Sequence, residues 1–223
     1  VVEDTEGIDL LPPCRPAGVY CLGRNYPAYV EENADTIRQN LNHDPEIPDE
    51  THFFLKSPAS VIGSGDPIPY PTFSESVGYA GELAAVIDRP CKHVAPEDVP
   101  SIVRGYTILN DVDAKDQPNL IKMKVFDGSA PLGPAIADVD PLSMKMRTEI
   151  NGTVRQEATT ADMHRSPPEA IADISERVTL QPGDVVSMGS PANPGTVEPG
   201  DTIEVWYEGI GTLRNTVGPV DDR

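Results

Sequence analysis

The chain has 223 residues, 36 of them Asp or Glu against 17 Lys or Arg, a formal net charge of −19 at neutral pH. That balance argues against nucleic-acid binding, which needs clustered cations along the phosphates. No run approaches the roughly 20 apolar residues of a membrane-spanning helix, and the opening stretch VVEDTEGIDLLPPC is acidic where a secretory leader would be basic.

The expectation is a soluble cytoplasmic protein. Its acids are dispersed (PEIPDE, APEDV, DVDPL), as on a solvated surface rather than in a tail. Lysine is sparse beside arginine. Such a surface suits concentrated salt, which screens the self-repulsion, so the charge pattern suggests a halophilic protein, with an ordinary acidic mesophilic protein the plainer alternative. Cys14, Cys21 and Cys91 are odd in number and widely spaced, without Cys-x-x-Cys, and read as reduced and structural. His43, His52, His93 and His164 show no ligand spacing and read as surface residues. The glycines match neither a phosphate-binding loop nor a dinucleotide fingerprint.

Twenty-four prolines and 18 glycines separate short apolar runs, which predicts an α+β, mostly β fold with many turns. AGVYCLG and HFFLKSP read as strands, and SVIGSGDPIPYP as a turn-rich connector. GELAAVI is a strand, APEDVPSIVRG a short helix closed by Gly105, and YTILNDV and PLGPAIADV are strands. MKMRTEING and TVRQEATT pair as a hairpin around Asn151-Gly152. A helix starts in SPPEAIADISERV, where Ser166 is the N-cap, Pro167 opens the first turn and Glu169 completes a capping box. DVVSMGSP and DTIEVWYEGIGTLRNTV are strand-like.

Glu82 is a lone acid in the apolar run SVGYAGELAAVID, costly to bury unless paired or bound. Strand alternation puts Ala80, Glu82, Ala84 and Val86 on one face. Asp111 follows the next strand's apolar run. Two carboxylates at adjacent strand ends suit a hard divalent cation such as Mg²⁺, Mn²⁺ or Ca²⁺; the plainer reading is that both are surface or hydrogen-bonded acids. Lys124 precedes Phe126-Asp127-Gly128. Beside a metal it would stabilise an enolate; the plainer reading is a salt bridge to Asp127 or a neighbour. The loop MGSPANPG offers backbone N–H groups and the Ser190 hydroxyl to an anion, or is simply a turn.

Nine segments in order, VYCLGRNYPAYVEE, FFLKSPASVIGSGDPI, GYAGELAAVI, GYTILNDVDAKD, KVFDGSAPLGP, NGTVRQEATTADM, SPPEAI, LQPGDVVSMGSP and GDTIEVWYEGIGTLRN, resemble the fumarylacetoacetate hydrolase (FAH) family from about Val19 to Val217. The resemblance implies a mixed β-sandwich or β-roll, a homodimer, a divalent metal, and small 2-oxo acid substrates, diketo or dienoic. It implies C–C cleavage, decarboxylation or isomerisation through a metal-chelated enolate. It divides the chain into a small N-terminal segment with a lid region (1–50) and a catalytic domain (51–223).

By the same resemblance Glu82 matches the second glutamate of a Glu-x-Glu metal pair, Asp111 a metal-binding aspartate and Lys124 the active-site lysine. Arg24, Asn25 and Tyr26 match the substrate-side segment. Glu32 matches the glutamate of a His-x-x-Glu lid motif, and Gln156 and Ser190 match substrate-facing positions. Two positions depart from the pattern. Ala80 replaces the first glutamate, with Glu75 and Glu31 the nearest acids to fill in. Tyr29 replaces the lid histidine. A phenol with pKa near 10 is a poor base at neutral pH and acts as a donor instead, so decarboxylation or isomerisation is expected ahead of hydrolysis. The alternative is a catalytically impaired member that binds a small acid or serves in an assembly.

Overall fold

The structure, a computed structural model, describes residues 10–41 and 45–221. Fifteen strands and four α-helices follow in chain order: β1 (Val19–Leu22), α1 (Pro27–Glu32), α2 (Ala34–Leu41), β2 (Phe53–Lys56), β3 (Val61–Ile62), β4 (Ile68–Pro71), β5 (Val77–Tyr79), β6 (Gly81–Ile87), β7 (Val103–Asn110), β8 (Asp113–Ala114), α3 (Leu120–Lys124), β9 (Ala130–Ala137), β10 (Lys145–Ile150), β11 (Thr153–Thr159), α4 (Pro167–Arg177), β12 (Val185–Ser187), β13 (Gly195–Val197), β14 (Thr202–Tyr207) and β15 (Gly211–Asp221). The mostly β fold expected from the punctuation is the fold observed.

The strands form a seven-stranded sheet in the order β2-β1-β12-β6-β7-β9-β3, a five-stranded sheet β11-β10-β14-β15-β4 and a three-stranded sheet β13-β5-β8. GELAAVI is buried at every residue, as a central strand covered on both faces must be. Alternation then sorts its side chains. Leu83, Ala85 and Ile87 join the larger core with Ile108, Met146, Val205 and Leu213, between the seven- and five-stranded sheets. Ala84 and Val86 face the other way, into a smaller cluster with Cys21, Leu109 and Leu132. Glu82 falls on that second face.

The local signals at two places produce the expected structure. Asn151 and Gly152 take φ of 51° and 74°, the left-handed pair that a two-residue hairpin loop needs. At the start of α4 the Glu169 carboxylate accepts from Ser166 N at 2.8 Å and Ser166 Oγ at 2.7 Å.

Two expectations are corrected. PEDVPS forms a 3₁₀ turn that ends at Ser101, and the chain runs straight on into β7 through Gly105. Gly105 has φ of +153°, and a Cβ there would sit 2.6 Å from the carbonyl oxygen of Ala137 on β9. Glycine marks a close approach of two strands here, not a helix end. The connector SVIGSGDPIPYP contains β3 and β4. β1 is an interior strand paired with both β2 and β12, so segments from either side of residue 50 lie in one sheet. No helix among the described residues is long and apolar enough to cross a membrane. The three cysteines are free.

Gly105→Ala must both adopt a strained φ and push the β9 backbone away. We expect a loss of about 1–3 kcal/mol, read as a lower urea midpoint with an unchanged slope.

Candidate active site

β6 and β7 pair antiparallel with Glu82 opposite Leu109. Asp111 lies two residues beyond Leu109, and its N–H donates to Ala80 O at 2.9 Å. The two acids are thereby brought to one end of one sheet face. β12 flanks β6 on the other side and sets Ser187 opposite Ala84. Lys56 ends β2. Lys124 ends α3, a single helical turn whose N-cap, Asn119, accepts from Lys122 N at 3.1 Å.

These elements deliver a buried charge cluster. Asp111 takes Lys56 Nζ on Oδ1 at 2.6 Å and Lys124 Nζ on Oδ2 at 2.5 Å. Lys56 also donates to Val112 O at 2.7 Å, and its side chain has no exposed surface. Lys124 reaches Asp113 Oδ2 at 3.2 Å and lies 5.2 Å from the Phe54 ring centroid, a cation–π distance. Glu82 Oε2 accepts from Ser187 Oγ at 2.5 Å.

The environments push the groups apart. Burial, reinforced by the Asp111 charge, raises the Glu82 carboxyl to about 8 against the pull of Ser187 and the lysines. Burial works to raise Asp111 too, but Lys124 and Lys56 outweigh it and hold it below the usual range. Lys124 goes well up, since Asp111 and Asp113 overcome its desolvation. Burial raises the Tyr29 phenol against the Lys124 charge, so it stays protonated at neutral pH.

Glu82, Asp111 and Lys124 share the wall of a cavity of about 510 Å³ with Arg24, Tyr29, Ala80 and Ser190. Four residues aligned with the site by resemblance do not line it. Asn25 is a clasp: its Nδ2 donates to Arg165 O at 3.0 Å and Met188 O at 2.9 Å, and its Oδ1 accepts from Arg165 N at 2.9 Å. Tyr26 is buried. Gln156 accepts from Gly81 N at 3.0 Å and donates to Ala192 O at 3.0 Å, fixing the loop that carries Ser190. Glu32 accepts from Asn193 N at 2.6 Å on the same loop. His52 lines the cavity, contrary to its reading as a surface residue, while His93 and His164 are exposed. His43 lies outside the described residues.

Two contributors were not singled out from sequence. Lys56 had a signal, since it is a scarce lysine in the apolar run HFFLKSP. Asp113 follows Asp111 in DVDAKD and had none. The bridge considered between Lys124 and Asp127 is replaced by pairs to Asp111 and Asp113.

The family model for the fumarylacetoacetate (FAA) hydrolase C-terminal domain matches residues 18–218, so the chain belongs to the fumarylacetoacetate hydrolase family. Among its relatives is the oxaloacetate tautomerase YisK of Bacillus subtilis, 32% identical over 90% of this chain and 69% of that protein. The crystal structure of 2-hydroxyhepta-2,4-diene-1,7-dioate isomerase from Mycobacterium marinum superposes with a TM-score of 0.83 at 38% identity, covering 93% of this chain and 77% of that one. Maleylpyruvate hydrolase from Sphingobium sp. SYK-6, in complex with manganese(II) ion and pyruvate, superposes at 0.79 and 29% identity, covering 95% and 74%. Family relatives are thus enzymes, among them isomerases, tautomerases and hydrolases, and one binds a divalent metal.

The donor set here does not match a three-carboxylate metal centre. Position 80 offers a methyl group. Glu31 and Glu75 are exposed and neither lines the cavity. Both Asp111 oxygens already hold an ammonium. Among the described residues, no three His, Cys, Asp or Glu side chains come together to hold a metal ion.

Lys56→Met leaves a buried carboxylate with one cation instead of two, and should cost about 3–5 kcal/mol in urea unfolding. Glu82 sets a pH dependence of opposite sign to the usual acid. The unfolded chain releases this proton near 4.5, whereas the folded state keeps it to about 8. Its stabilisation is therefore complete below 4.5 and lost as pH rises through 8. Glu82→Gln should flatten that decline, measured as urea midpoints across the window.

Proposed function

We propose that this chain catalyses enol–keto isomerisation of a small 2-oxo acid, moving a proton between C3 and the oxygen on C2. The observation that carries the reading is a fixed cation beside two proton-bearing groups in one cavity: Lys124, pinned by Asp111 and Asp113, with Glu82 and Tyr29 on the same wall. Glu82, ionised in part near neutrality, takes the proton from C3. The Lys124 N–H and the Tyr29 O–H hold the developing enolate oxygen, where charge appears only as the reaction proceeds. Protonation of that oxygen from solvent gives the enol while Glu82 releases the C3 proton to solvent, and the reverse path gives the keto acid. The divalent cation implied by the family has no step here, because among the described residues no three acids come together to hold it.

Isomerisation is favoured over hydrolysis because position 29 carries a phenol, a poor base for activating water. Tyr29 is a donor, and Glu32 is spent on the Asn193 N–H. The names of the tautomerase and isomerase relatives support the same choice. The reading carries with it the homodimer and the cytoplasmic setting expected from sequence. A second reading, binding of a small acid without turnover, has Ala80 behind it.

Exchange of the C3 hydrogens of oxaloacetate with deuterated solvent separates the two. Turnover well above the buffer rate is expected for the isomerase, and a buffer rate for the binder. Lys124→Met should lower kcat/KM by about 10²–10³, the cost of one oxyanion donor. A change in KM alone would make Lys124 a binding residue.

A further inference from the structure

We infer that this cavity takes the enolate oxygen of its ligand directly on the Lys124 ammonium, with no divalent cation between Glu82 and Asp111. The inference rests on the function proposed above and departs from what the family relatives imply.

Three observations carry it. The first is the fixed position of Ala80. Its N–H donates to Asn110 Oδ1 at 3.1 Å and its carbonyl accepts from Asp111 N at 2.9 Å. The backbone is tied to the end of β7 on both sides, and the cavity wall at that point is a methyl group.

The second is the occupation of Asp111. One oxygen holds Lys56 Nζ at 2.6 Å and the other holds Lys124 Nζ at 2.5 Å. A divalent cation on either oxygen would lie against a fixed positive charge inside the protein, where such repulsion is poorly screened. Lys56 cannot retreat: it is fully enclosed and also held by Val112 O. The two lysines already balance Asp111 and Asp113, and Glu82 is the one acid left over. Two further positive charges would leave the cluster with an excess.

The third is the unspent capacity of Lys124. An ammonium has three donors. Two go to Asp111 and Asp113, and the third is left for a ligand in the cavity that Lys124 lines. Its side chain keeps 11% of its surface exposed, while that of Lys56 keeps none. One lysine is structural and the other presents itself to the cavity.

The test is calorimetric titration of the metal-stripped protein with oxalate, a planar dianion shaped like the enolate, first in EDTA and then in millimolar Mn²⁺. Free Mn²⁺ is followed in parallel by electron paramagnetic resonance. We expect oxalate to bind one-to-one in EDTA with the affinity unchanged by Mn²⁺, and no stoichiometric Mn²⁺ site. Lys124→Met should weaken oxalate by at least about tenfold, the loss of one charge-assisted contact. Ala80→Glu supplies the third carboxylate and should create an Mn²⁺ site. A folded Ala80→Glu that still takes no Mn²⁺ counts against the inference. A stoichiometric Mn²⁺ site in the unaltered protein, tightened by oxalate, overturns it, as does oxalate that binds in neither buffer. Metal-free oxalate binding without C3 exchange would instead sink the isomerase and leave this inference standing.

Discussion

Asp111 brings a negative charge into the interior at the end of β7, and two ammonium groups follow it there. Each charge alone would be expensive in so dry a place. Together they fix the relative positions of an edge strand (β2), a central strand (β7) and a one-turn helix (α3), which sequence separates by 55 and 13 residues. The cavity is assembled as a by-product of that neutralisation. The same balance leaves Glu82 without a cation in contact, so burial and the nearby Asp111 charge keep its carboxyl from ionising while Asp111, a strand away, ionises readily.

What the sequence made legible follows from how local each cause is. The period-two pattern of GELAAVI put Glu82 on the face of Ala84 and Val86, because alternation is a property of the strand itself. The Asn151-Gly152 turn and the Ser166–Glu169 cap are set by residues within a few positions of each other. Gly105 misled because PEDVPS has the composition of a helix start, and the decision to continue as strand comes from pairing with β6 and β9. Lys56 was hidden because a lysine at the end of FFLK reads as a solvated strand end. Its burial is decided by an acid 55 positions away.

The residues brought in by resemblance divide along similar lines. Arg24, Tyr29, Glu82, Asp111, Lys124 and Ser190 meet around the cavity. Asn25, Gln156 and Glu32 are polar in type but turned to the backbone. Asn25 joins segments around positions 25, 165 and 188, and Gln156 and Glu32 hold the loop from Ser190 to Asn193. Sequence pattern cannot tell a side chain that meets a ligand from one that shapes the wall behind it. The difference lies in which backbone carbonyls and N–H groups the fold leaves unpaired nearby.

The brevity of α3 has one more consequence. Five residues are too few to hold a helix by themselves, and none of the five is buried. Its position therefore depends heavily on the grip that Asp111 and Asp113 have on its last residue. An anion entering the cavity takes the donor that those two acids leave over. The ligand thus rests on the same ammonium that fastens its wall, so that the door and its bolt are one part.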